Sequence, residues 1–104
     1  MANFGNVKSA SVGASVVTLK TVTVPTLITG CNLLNKTAAS ASISLYVTNS
    51  TTDYYIFKNK RVDGNMNAEA ITGNKIVLVS GDVLKAVSDT PNAFDIVVSL
   101  LDGF

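Results

Sequence analysis

Histidine and tryptophan are absent from the 104 residues, cysteine occurs once, proline twice, and only 14% of residues are charged. Without histidine there is no Ser-His-Asp or Cys-His nucleophile system, no imidazole base, and no commonest metal ligand. The lone Cys31 cannot form an intrachain disulfide or a structural zinc site, and within an apolar run it reads as a small buried hydrophobe. No GxGxxG or GxxxxGK[ST] pattern offers a phosphate cradle. No apolar stretch approaches the roughly 18 residues of a membrane span. The first eleven residues lack the basic and apolar regions of a signal peptide, so synthesis and use in a cytoplasm-like compartment are expected.

Charge is as sparse in sign as in number. The net value is +1 with Lys and Arg scattered, which leaves no electrostatic footprint for nucleic acid. The densest basic run, Lys58 to Arg61, reads as the solvated end of a strand. Its neighbours Tyr54, Tyr55 and Phe57 read as cross-strand packing rather than a base-stacking platform. Asp63, Asp82 and Asp89 fall in turn sequences, where carboxylates bond the local backbone. No catalytic residue, cofactor or metal ligand is expected.

Ser, Thr and Asn fill the place that charge leaves empty, beside an apolar share of 47%. Neutral polar groups lose less on leaving water than charged ones do, which suits a chain packed against neighbours, although an ordinary soluble β domain shares this composition.

Apolar residues alternate from Val12 onward, the period of strands. Val12 to Val24 reads as one bent strand or two short ones, ended by Pro25, which belongs at an edge or a strand start. In the run Leu27 to Leu34, Leu27, Cys31 and Leu33 share one phase and Ile28 and Leu34 the other, with Gly30 marking a bulge or a close backbone approach. Ala41, Ile43, Leu45 and Val47 define one face of a half-buried strand, and Tyr54 to Phe57 returns from it as a hairpin over 41–58. Asp63-Gly64 and Gly73-Asn74 flank a weaker segment near Ala68 to Thr72. Lys75 to Val79 is apolar on both faces, the mark of a central strand or an interface. Val83 to Val87 and Phe94 to Leu100 complete the series. The expectation is an all-β fold, an antiparallel β-sandwich of jelly-roll or Ig-like type with about seven to eight short strands. Residues 12–104 form its single domain. Residues 1–11, too poor in apolar side chains to make a layer, read as an N-terminal arm anchored by Phe4, either disordered or ordering on a neighbour.

The order Val24-Pro25, Leu33-Leu34-Asn35-Lys36-Thr37, Ile43-Ser44-Leu45-Tyr46-Val47, Asp53-Tyr54-Tyr55-Ile56, Val79-Ser80-Gly81-Asp82-Val83-Leu84 and a closing Asp95-Ile96-Val97-Val98-Ser99-Leu100 resembles small β-sandwich virion structural proteins of tailed bacteriophages over residues 20–102. The resemblance implies a component present in many copies on the capsid, neck or tail, made in the bacterial host cytoplasm and used in the virion. It implies no catalytic residue.

Capsid cement or decoration, packing on the major capsid protein, is the leading expectation. A neck, tail or fibre-associated module, with carbohydrate as a ligand, is the alternative. The expected partners are other virion proteins and further copies of the chain, a trimer favoured because virion positions carry such axes, with neither nucleic acid nor membrane. The candidate interface residues are Phe4, Tyr54, Tyr55, Phe57, Ile76, Val77, Leu78 and Val79.

Overall fold

The computed structural model describes residues 3–69 and 76–103, and every regular element among them is a β-strand. The strands are β1 (Asn3–Val12), β2 (Val17–Thr21), β3 (Thr26–Asn35), β4 (Ala41–Asn49), β5 (Thr52–Val62), β6 (Asn67–Glu69), β7 (Ile76–Leu78), β8 (Val83–Ser88) and β9 (Phe94–Asp102). They form two antiparallel sheets. The first runs β1-β9-β3 and is completed by β6 and β7, which lie end to end along β3. The second runs β2-β8-β4-β5. If β6 and β7 are taken as one interrupted position, the chain pairs first with last, second with second-last, and so inward to the β4–β5 hairpin. That wrapping, with alternate pairs in alternate sheets, is the jelly roll and not the Ig arrangement.

The core lies between the sheets. Phe94, Ile28, Leu33, Ile43, Leu45, Leu84 and Ile96 are completely or almost completely buried. Strand β3 shows how local chemistry sets this face. The pairing with β9 slips between Ile28 and Gly30, a bulge that shifts the alternation by one residue. Ile28 therefore joins Cys31 and Leu33 inside, while Leu27 and Leu34 face outward. Uninterrupted alternation had assigned Ile28 to the opposite face. A Cβ at Gly30 would meet nothing within 4 Å, so the glycine serves the bulge and not a close approach.

Three further sequence expectations need correction. Residues 3–11 are no arm: Asn3 to Ser9 pair residue for residue with Ile96 to Asp102 of β9, and Val12 enters the core. Backbone hydrogen bonding to a neighbouring strand requires little apolar side-chain content, which is why composition concealed β1. Met1 and Ala2 lie outside the described residues. The segment Lys75 to Val79 is no central strand. Its described part pairs with β3 alone, with Leu78 buried and Val77 and Val79 more than half exposed. Lys75, Gly73-Asn74 and the stretch from Ala70 to Thr72 lie outside the described residues. Finally, β4 is covered on both faces, not half buried, because Ser44 and Tyr46 on its outer side are also buried.

Candidate docking surface

The outer face of the first sheet carries an apolar row that crosses every strand layer. Phe4 of β1 stands opposite Leu101 of β9, Leu101 opposite Leu27 of β3, and Leu27 opposite Val77 of β7. Residues directly opposite one another in antiparallel strands project to the same side, so the four form one continuous stripe. Phe4 is 84% exposed and Val77 54%, with Leu27 and Leu101 half-buried between them. Val79 extends the exposed apolar surface past the end of β7.

The remainder of this face is mostly neutral. Asn6 lies opposite Ser99, Lys8 opposite Val97, Val97 opposite Asn32, and Leu34 between Asp95 and Asn67. Asp95 accepts a hydrogen bond from the Ser11 backbone N–H at 3.0 Å and pairs with Lys36 Nζ at 3.1 Å. The Ser11 bond is the main cause that holds its carboxyl below the usual value.

The outer face of the second sheet is different because its aromatic Tyr46 is already covered by its neighbours. Tyr46 lies beside Lys85 and Tyr55 in the ladder, its ring 5.0 Å from that of Tyr55, and Lys58 Nζ sits 5.0 Å from the Tyr55 centroid. Tyr46 is thereby buried.

Where the β4–β5 hairpin approaches β7, a groove of about 380 Å³ opens between the two sheets, lined by Tyr54, Tyr55, Ile56, Ile76 and Val77. Its polar end is fixed by Asp82, whose carboxylate accepts from Asn49 Nδ2 at 2.6 Å and from the Val79 N–H at 2.9 Å. Gly81, at φ 98°, permits the turn that aims this side chain.

The groove unites the sequence candidates Tyr54, Tyr55, Ile76, Val77 and Leu78. Phe4 stands at the opposite edge of the first sheet, joined to Val77 only through the stripe. Leu78 is core, and Phe57 and Ile76 pack against the core, so these three offer little free surface. Leu27 and Leu101 belong to the surface and were missed. The adjacent pairs Leu100-Leu101 and Leu27-Ile28 carried the signal, since in each pair only one of the two apolar side chains can face the core and the other must face outward.

The carboxylates in turns act on the turns. Asp89 accepts from the Ser42 N–H and Thr90 Oγ1, each at 2.9 Å, and Asp63 from Ser40 Oγ at 3.2 Å. Among the described residues no three His, Cys, Asp or Glu side chains gather as a metal site, and none of the helix-type membrane spans is present. Comparison with known protein families, curated proteins and solved structures finds no match.

Proposed function

We propose that this chain is a non-catalytic structural subunit of a tailed-bacteriophage virion, a capsid cement or decoration protein that packs on the major capsid protein and against its own copies. The observation that carries the reading is the Phe4–Leu101–Leu27–Val77 stripe, set in a face with few charges. Such a composition, aromatic and aliphatic side chains beside neutral amides and hydroxyls, is that of a protein contact surface. The likeness of the strand and turn sequence to small phage virion proteins supports the same role. The jelly roll is compatible with it, since the fold recurs in capsid domains, though fold alone assigns no function. The test is the stability of phage shells assembled with and without the protein. Shells carrying it withstand heating that ruptures bare shells, and a protein with both Phe4→Ser and Val77→Ser confers less protection. Equal rupture of bare and coated shells contradicts the reading.

A second reading, a neck, tail or fibre-associated module that binds carbohydrate, draws on the groove. Tyr54 and Tyr55 are 60% and 46% exposed there, and aromatic faces with a polar tip suit sugar rings. Glycan-array binding that is lost in Tyr54→Ala favours this reading over the first.

A further inference from the structure

A sheet edge with unpaired N–H and C=O groups is a template for another strand, and proteins block such edges with short strands, bulges and charge. Three of the four edges here are blocked. Strand β2 has five residues, a register break between Thr18 and Lys20, and Lys20 itself. Strand β5 is broken twice in its pairing, has Asn59 at φ 55°, and carries Lys58, Lys60 and Arg61. Among the described residues, the edge of the first sheet opposite β1 consists of β6 and β7, three residues each.

Strand β1 is the exception. From Asn3 to Ser9 its pairing with β9 is unbroken, and the only irregularity comes later, between Ser9 and Val12. Lys8 is its only charged residue. Among the described residues no strand pairs with its other side. Phe4, among the described residues the most exposed of the large apolar side chains, lies on this strand.

We propose that β1 pairs antiparallel with β1 of a second copy of this chain about a twofold axis, joining the two first sheets into one continuous sheet. This rests on the reading that the chain works by packing against its own copies, and it names the contact. A second copy fits because it supplies by identity an equally open edge, and a twofold contact uses the same patch on both partners. Full overlap of Asn3 to Ser9 sets the register: Asn6 lies opposite Asn6, and Phe4 opposite Lys8. The two lysines are thereby kept off one another, and each faces an aromatic ring, the favourable arrangement for a cation. Outward residues of one copy meet outward residues of the other, so both apolar stripes face the same side. One strand edge covers less than the about 800 Å² per partner of a standard interface. The dimer therefore depends on concentration in solution, and a many-copy assembly would reinforce it through multivalency.

The test combines mass with cross-linking. Sedimentation equilibrium of the wild-type chain shows a monomer passing to a dimer as concentration rises, and Asn6→Lys, which places two lysines across the axis, stays monomeric. In Asn6→Cys the new thiols lie directly opposite. Under oxidised glutathione this variant forms a covalent dimer on the order of tenfold faster than Thr51→Cys, an exposed hairpin-tip control, because pairing raises the local thiol concentration. Native Cys31 does not compete, being buried with its thiol pushed up to about 11 by desolvation. A chain that remains monomeric, a trimer, or equal cross-linking rates for the two cysteine variants overturns the proposal. Shell protection is read in parallel. Dimerisation without shell protection defeats only the virion reading, and protection by a chain that never dimerises defeats only this one.

Discussion

At the scale of single residues, polar side chains placed inside or beside the core do the most specific work. Asn35 is completely buried, yet every part of its amide is used. Nδ2 donates to the Ala39 and Val62 carbonyls, both at 2.9 Å, and Oδ1 accepts from the Thr37 N–H at 2.9 Å and Thr37 Oγ1 at 2.8 Å. It thus ties the β3–β4 connection to the end of β5. Asn35→Ala leaves the Val62 carbonyl without the partner of its buried bond and releases the β3–β4 connection, and a loss of about 2 kcal/mol in urea unfolding is expected. Asp102 plays a related part at the other end of β3. Its Oδ1 accepts from buried Thr26 Oγ1 at 2.8 Å and its Oδ2 from Lys20 Nζ at 3.1 Å. These contacts, the Thr26 bond foremost, lower its proton affinity, and the Ser42 N–H does the same for Asp89. A carboxylate with a folded-state value below its unfolded one contributes stability above the unfolded value, and that contribution disappears as pH falls through the folded one. The melting temperature is therefore expected to hold from neutrality to about pH 5 and to drop below about pH 4. Asp102→Asn makes the drop shallower. Differential scanning calorimetry across this range checks both statements.

At the scale of elements, β1 belongs to the fold before it belongs to any interface. It covers the edge of β9, and β9 supplies Phe94, Ile96, Val98 and Leu100 to the core. Removal of residues 1–11 is expected to lower the melting temperature and cause aggregation through the bared β9 edge, where removal of a free arm would change neither; calorimetry and sedimentation distinguish them. This element also marks the limit of what the sequence made legible. Strand β9 was visible because its single buried face gives alternation, β4 because Ala41, Ile43, Leu45 and Val47 alternate along it although both of its faces are covered, β8 as an apolar run between two turns, and Pro25 marked the start of β3. Strand β1 was hidden because its partner is backbone from the far end of the chain, which no local pattern records. The phase of β3 was hidden because a bulge resets alternation without changing composition. Of the candidate surface, Phe4, Tyr54, Tyr55, Val77 and Val79 were found as exposed-looking apolar residues. Their division between a groove and a stripe depended on strand register, and register is a property of pairs.

At the scale of the whole molecule, the jelly-roll wrapping brings the two ends of the chain together in the first sheet and leaves the β4–β5 hairpin at the far end of the second. The first sheet thereby presents the apolar stripe and the open β1 edge on adjoining surfaces, while the second covers Tyr46. In the proposed role, the first sheet is the contact layer of a packing subunit. A cryo-electron microscopy reconstruction of phage shells saturated with the purified protein shows which sheet makes the contact. The expected result is jelly-roll density whose first sheet lies against the shell, with Phe4 and Val77 at the contact. Bare shells at saturating protein, or density attached through the second sheet, would contradict it.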